Sequence, residues 1–403
     1  NGSQLGAGGT GGTGAAGGTG GSDGGAGGIN LTGVGGAGGA MTVCDPTDSE
    51  DFDQDGWSIL DGDCNDCDAN VGPNAIEVPT EEDGEAIDED CDGTVDEEDV
   101  YPVCDAGLAV DEASAMEAVK AVDLCKVSSG PDDWGLVSAS WVLPDGSPIP
   151  VGFEGPFHLG HGLLPAFGSV VDNRYGELML ALSSGTARQP NDPGYQDVGG
   201  YAKGYLSGHP VGFPKESPAC PGVVTGQPND GTGLQIVVRT PQNAYGFTFD
   251  FDFYTYEWPA YVCSTFNDFF VALLTPYPEG QNDGNVSFDS MGNPVSVNNA
   301  FLDVCGCEGN PPSPCQAGGK TFACPLGNTE LLGTGFGFDY AFEDHAATSW
   351  LQTTAPVEPS SEMTLVWATY DSGDGVLDST TLVDNFRWIA KPGVPVGTIP
   401  IPK

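Results

Sequence analysis

Apolar and polar residues alternate most strictly near the middle of the chain. Phe247, Phe249, Phe251 and Phe253 alternate with Thr248, Asp250, Asp252 and Tyr254. A period of two puts all four phenyl rings on one face of a β-strand. Apolar runs bounded by turn residues predict further strands at 135–142, 176–182, 234–240, 268–275, 336–342, 363–370 and 381–389, in the manner of an antiparallel sandwich. One stretch changes period: Ala113, Met116, Val119 and Val122 fall at helical spacing and predict a helix over 111–125. The expected fold is therefore mainly β, with one helix, over residues 106–390, long enough to bury a sizeable core as one domain.

The pattern is lost before residue 106. Residues 1–43 are nearly half glycine and carry a single charge, Asp23. Gly8, Gly11, Gly14, Gly17 and Gly20 recur every third position, and the period resumes after Asp23 at Gly24, Gly27, Gly33, Gly36 and Gly39. Three residues per turn is the period of a polyproline-II-type helix, whose glycine-lined faces allow close approach between helices. A flexible linker is the plain alternative. Such an arm, extended, would reach about 120 Å at ~3.1 Å per residue, longer than a compact domain covers. Its backbone groups need partners, and other copies of the chain are the expected ones.

Residues 44–105 hold 16 Asp and 8 Glu with no Lys or Arg, a charge of −24 in 62 residues. A run of this kind is ordinarily a disordered, solvated tail. The spacing argues for metal instead. Asp51, Asp53, Asp55 and Gly56 occupy positions 1, 3, 5 and 6 of a calcium loop, with Trp57 at position 7, whose ligand is a backbone carbonyl. Ile59 stands where such loops place an apolar anchor, but position 12 is Gly62, so Asp61 or Asp63 must stand in for the closing Glu. A second copy is fuller: Asp88, Asp90, Asp92, Gly93, Thr94, Asp96 and Asp99 fall at positions 1, 3, 5, 6, 7, 9 and 12. Asp61, Asp63, Asn65, Asp66 and Asp68 offer a third set between them. Hard oxygen donors at alternate residues suit Ca²⁺, two ions or more, better than Mg²⁺ or a softer metal.

The strings DQDGW, DGDCND, ANVGPNAIE and DEDCDGTVDE within residues 53–97 resemble the MopE-type metal-binding motif of bacterial surface proteins. The resemblance adds Glu77 to the ligand set and implies that Cys64 and Cys91 pair to pin the loops. Cys67 is no part of that motif. A redox role for Cys64 and Cys67 is disfavoured, because surrounding carboxylates oppose a thiolate.

The region 106–390 is similar to the choice-of-anchor L family. The similarity lies in Phe249–Pro259 (FDFDFYTYEWP), Phe266–Val271 (FNDFFV) and the later Asp371, Asp374, Asp378 and Asp384. Family members usually carry Ser-Glu-Glu-Tyr-Pro where this chain has Thr255-Tyr-Glu257-Trp-Pro, keeping one Glu. The resemblance implies an exported, jelly-roll-like sandwich with no known catalytic activity. Asp371, Asp374 and Asp378, on a turn between two strands, are expected either to bind one Ca²⁺ or to cap turn backbone.

Twelve cysteines and a net charge of −47, from 11 basic and 58 acidic residues, set the remaining expectations. Such acidity excludes nucleic acid and anionic membrane surfaces as partners, and no apolar run approaches the ~20 residues of a membrane span. The cysteines point to an oxidising compartment, extracellular or cell surface. Asn1, with no Met and no apolar leader before it, reads as a processed N-terminus. Cys305, Cys307, Cys315 and Cys324 are expected to form two disulfides rather than a zinc knot. Cys305 and Cys307 would each reach Cys315 or Cys324, which leaves Cys220 with Cys263. Cysteine counts of five in 44–105 and seven beyond it are both odd, so one bridge should cross the boundary, most plausibly Cys104–Cys125.

Enzyme signals are weak. Asp250, Asp252 and Glu257 invite a glycosidase comparison, but alternating strand acids are more commonly a solvated face or a calcium site. His158 and His161 lack a third zinc ligand and read as surface histidines. Asn30 and Asn285 fit the N-glycan acceptor pattern. The tail 391–403 either lies on its own domain or is a strand donated to a neighbouring subunit. The sequence therefore predicts a non-enzymatic, calcium-binding structural protein that assembles with copies of itself into a filament or surface layer. The competing expectation is a monomeric adhesin or carbohydrate-binding module, contacting surface polysaccharide through Tyr254, Tyr256 and Trp258.

Overall fold

The strand carrying the four phenylalanines runs over Gly246–Thr255, and all four rings are fully buried. Its surroundings come from a computed structural model that describes residues 44, 47–80, 84, 86–96, 101–298, 301–306, 315–337 and 345–402. The arm 1–43, Asn30, Asp99 and Cys307 lie outside the described residues. In chain order the main strands are β1 (Gly135–Val142), β2 (His161–Leu164), β3 (Met179–Ser183), β4 (Pro228–Arg239) and β5 (Gly246–Thr255). They continue as β6 (Phe269–Thr275), β7 (Leu351–Pro356), β8 (Glu362–Ser372), β9 (Ser379–Ile389) and β10 (Gly397–Pro400).

One sheet is ordered β1-β4-β8-β6, with Val295–Ser296 beyond β6. The other is ordered β2-β3-β9-β5-β7-β10, and the far end of β5 also pairs with Ala346–Ala347. Every pairing between these strands is antiparallel. The sheets share one core: Leu234, Ile236, Leu365 and Trp367 from the first meet Phe247, Phe249, Phe251 and Val383 from the second. Ring centroids bridge them at 5.6 Å for Phe249–Trp367 and 4.7 Å for Phe251–Phe270. Each such ring contributes about 1.5–3 kcal/mol by leaving water.

The opposite face of β5 departs from the sequence expectation. Asp250, Asp252 and Tyr254 are fully buried rather than solvated, because a second apolar layer that includes Phe167, Leu331, Phe336 and Trp350 covers this side of the sheet. The acids are matched instead to donors. Asp250 accepts from Arg174 Nε at 3.2 Å and from Gln352 and Asn385 amides at 2.9 Å each. Asp252 accepts from Tyr254 Oη at 2.9 Å and Thr348 Oγ1 at 3.2 Å.

Other expectations shift as well. The helix of 111–125 is only one turn of α-helix, Ala115–Ala118, capped by Ser114 and followed by a 3-10 turn at Val119–Val122. A second short helix, Glu154–Leu159, was not foreseen. Residues 336–337 are not strand, and the remainder of the 336–342 prediction lies outside the described residues. The tail pairs within its own chain, Thr398 lying opposite Thr353. His161 is buried and stacked on Trp141 at 3.7 Å, not a surface residue. Asn285 is unsuited to carry a glycan: it is fully buried, and its amide donates to the Ser287 carbonyl at 2.9 Å.

Candidate metal centre

The acidic segment lies on the sandwich beside the turn that leads into β5. Val71, Ala75 and Ile76 are buried, and the side chain of Asn243 accepts from Ile76 N–H at 2.9 Å while donating to its carbonyl at 2.8 Å. Gln242 donates to Asp55 Oδ2 at 2.7 Å, and Tyr245 Oη donates to Asn70 Oδ1 at 2.7 Å. A side chain that satisfies both polar groups of one residue fixes an irregular segment as a strand partner would.

Two stretches of this segment adopt the same turn. In the first, the Asp51 carboxylate accepts from Gly56 N–H at 3.1 Å, Asp53 from Asp55 N–H at 3.2 Å and Asp55 from Trp57 N–H at 2.8 Å. In the second, Asp88 accepts from Gly93 N–H at 3.0 Å, Asp90 from Asp92 N–H at 3.1 Å and Asp92 from Thr94 N–H at 2.7 Å. Gly56 and Gly93 have φ of 105° and 94°, a region that a side chain would disfavour. Positions 1, 3, 5 and 6 thus behave alike in both copies.

Among the described residues, three carboxylate groups converge within 4.8 Å: Asp51 with Asp53 and Asp55, Asp53 with Asp63 and Asp66, and Glu77 with Asp88 and Asp90. Asp53 belongs to two of them, so the first loop and the intervening acids form one connected site rather than two. Of the two acids expected to stand in for the position-12 Glu, Asp63 groups with Asp53 and Asp66, and Asp61 with none of these groups. Asp63 is 3% exposed, and its Oδ2, like Asp53 Oδ2, is buried without a hydrogen-bond donor. Burial raises the carboxyl pKa of Asp53, helped by Asp63, Asp66 and Asp51, and likewise that of Asp63, helped by Asp66 and Asp51. Asp55 is pushed up to about 6, chiefly by burial and further by Asp53 and Asp63, against the hold of the Trp57 N–H. Crowded, desolvated carboxylates gain from a divalent cation that cancels their repulsion.

Glu77 secures the second group. Its Oε1 accepts from Glu89 N–H at 2.8 Å and its Oε2 from Asp96 N–H at 2.8 Å, which leaves lone pairs on a buried carboxylate facing Asp88 and Asp90. Glu89 escaped the sequence reading. It is 8% exposed and accepts from Val78 N–H at 3.0 Å, a role that no spacing signals.

Among the described residues, Asp61, Asp68 and Asp96 belong to none of these groups. Asp61 accepts from Ser58 Oγ at 2.6 Å, Asp68 from the Asn70 amide at 2.8 Å, and Asp96 from Thr80 Oγ1 at 2.6 Å. Asn65 donates its backbone N–H to Asp63 at 2.8 Å. Ile59 is exposed rather than an anchor. Far from the loops, Asp371 and Asp378 are buried whereas Asp374 between them is exposed, so the turn does not gather all three. Tyr254 and Trp258 are fully buried and Tyr256 stacks on His345 at 3.4 Å, so these rings form no open platform.

Disulfides tie the segment together and to the sandwich. Cys64 pairs with Cys91, Cys104 with Cys125, Cys220 with Cys263 and Cys305 with Cys324. Cys44, Cys67 and Cys315 are also disulfide-bonded. Cys64 follows Asp63 and Cys91 follows Asp90, so one bridge joins two of the carboxylate groups. Among the described residues no helix is long and apolar enough to cross a membrane. No protein-family model matches the chain, and no curated protein matches it in sequence.

Proposed function

We propose that the chain is a secreted, calcium-loaded structural protein that associates with copies of itself, through the glycine-rich arm, into an extracellular filament or surface layer. The observation that carries the calcium part is the connected group around Asp53 and Asp63, where two buried carboxylate oxygens lack any donor. The disulfides agree with an oxidising, extracellular setting. The three-residue glycine period supports the arm, and the MopE-type and choice-of-anchor L-like resemblances support a surface location.

The test compares purified full-length chain in millimolar calcium and in EGTA. With calcium it should sediment as large assemblies and resist protease within 44–105; with EGTA that stretch should be cut. Sedimentation as a monomer in calcium, with the same protease pattern in EGTA, would overturn the reading. A specific observation favours the second reading, a monomeric carbohydrate-binding adhesin. A cavity of about 370 Å³ lies between the acidic segment and the sandwich, where Tyr101, Trp134 and Trp388 adjoin Glu77, Asp90 and Asp92. A monomer that binds polysaccharide only with calcium would select it.

A further inference from the structure

At one rim of the sandwich, strand ends from both sheets bring together four carboxylates distant in sequence. Glu257 follows β5, Asp268 precedes β6, Asp371 lies near the end of β8 and Asp378 precedes β9. Their exposures are 3%, 0%, 2% and 0%. Tyr370 lies opposite Phe269 across the β8–β6 pair, so the antiparallel register carries Asp371 alongside Asp268. Asp378 is brought in by the segment that crosses from β8 in one sheet to β9 in the other. Its successor Ser379 donates from Oγ to Asp268 Oδ2 at 2.5 Å and from its backbone N–H to Ser184 Oγ at 2.9 Å. Behind it stands Gly185, where a Cβ would come within 1.9 Å of Asp378 Oδ2. Only glycine leaves room for that carboxylate.

The hydrogen-bond accounting does not close. Asp268 Oδ1 and both oxygens of Asp371 and of Asp378 are buried without a well-formed hydrogen bond, although Ser184 and the Asp268 carboxyl lie close enough to Asp371 to influence it. Nearby Asp230 shows the ordinary solution, accepting from Lys203 N–H at 2.8 Å and Tyr205 N–H at 2.9 Å. The closest ammonium, Lys203 Nζ, donates to Ser183 O at 2.8 Å and Thr232 Oγ1 at 2.6 Å instead of to the orphaned oxygens. A buried carboxylate oxygen that lacks a full hydrogen bond is unfavourable, and here five such oxygens sit among three side chains. Burial also drives the Asp268, Asp371 and Asp378 carboxyls well above the usual range. A hard cation that takes six to eight oxygens suits donors of this kind once side-chain rotation closes them on it, and neither His nor Cys is in the set.

We propose that Asp268, Asp371 and Asp378, with Glu257 beside them, hold a calcium ion that clips the two sheets together at this rim. The site shares no residue with the acidic loops and does not depend on them. The test counts bound calcium by native mass spectrometry on full-length chain. In a loop-neutralised variant (Asp53→Asn, Asp63→Asn, Asp88→Asn and Asp90→Asn) one ion should remain, and adding Asp371→Asn with Asp378→Asn should remove it. A loop-neutralised chain that retains no calcium, or one that keeps its ion after the added changes, would overturn the proposal. Should the added changes prevent folding, anomalous scattering from calcium-soaked crystals of the unaltered chain decides: a peak within coordination distance of Asp371 and Asp378 supports the site, and its absence refutes it. Failure of the loop reading would look different, with the unaltered chain binding no more ions than the loop-neutralised one.

Discussion

On the proposed calcium reading, Asp63 is a carboxylate unfavourable in the bare fold and needed once the ion binds. Its Oδ1 accepts from Asn65 N–H while its Oδ2 has no donor. Asp63→Asn keeps an acceptor for that N–H and removes a charge the fold resists. Calcium affinity at this group should fall by about tenfold or more, measured by calorimetry, whereas calcium-free thermal stability should hold or rise. Asp384 makes the complementary case away from the loops. Burial pushes it up to about 8, although the backbone N–H groups of Arg174 and Asn385 hold it down. An acid raised in the folded state binds its proton where the unfolded chain has lost it, so stability is greatest below pH ~4 and is lost as pH rises to about 8. Asp384→Asn should flatten that slope, which for one proton is at most about 1.4 kcal/mol per pH unit. Melting temperatures of both proteins from pH 6 to 8 at fixed calcium check it. The convergence of Asp51, Asp53 and Asp55, and of Asp88 with Asp90, was legible in the sequence because these acids stand at alternate positions of one local stretch. The rim carboxylates were legible only one by one, because residues 257, 268, 371 and 378 meet through strand register.

β5, β8 and β9 were read from the sequence, whereas β2 and β7 were not, β7 although its residues alternate between buried and half-buried. β5, β8 and β9 all announce themselves by alternation or by dense β-branched and aromatic runs. What also escaped was the covering layer over β5, because no local pattern says that Asp250, Asp252 and Tyr254 will be roofed by Phe167, Leu331, Phe336 and Trp350. The 111–125 helix was over-read for a related reason: its apolar period is satisfied equally by one α-helical turn and a 3-10 turn pressed on the core, where Ala118, Val119, Ala121 and Val122 are all buried. Core truncation tests the reading of the two faces. Phe251→Ala should cost about 3–5 kcal/mol by denaturant unfolding, since the ring packs on Phe249 and Phe270. Among the described residues of the acidic segment, regular elements are nearly absent and the Cys64–Cys91 bridge substitutes for them across a separation of 27 residues. Replacing both cysteines by serine should cost about 3 kcal/mol and raise the calcium needed to protect 44–105 from protease. An unchanged calcium midpoint would mean that the loops hold their shape without the bridge.

For the whole molecule the charge distribution separates two tasks. More than half of the excess negative charge, −24 of −47, lies in residues 44–105, whereas residues 1–43 carry only Asp23. Calcium should therefore act on stability through 45–403, which forms one compact unit, and association should act through a segment that calcium barely touches. If so, the two properties come apart on deletion. A chain lacking residues 1–43 should keep its calcium-dependent rise in melting temperature and lose the large assemblies expected of the full chain, as sedimentation and micrographs would show. Ionic strength gives the same separation without altering the sequence. Salt screens carboxylate repulsion within a Debye length of about 10 Å at 0.1 M, so it should weaken the dependence of folding on calcium. It should leave backbone-to-backbone contacts between arms largely intact. A truncated chain that assembles as the full one does would place the contact on the sandwich, and the glycine period would then need another purpose.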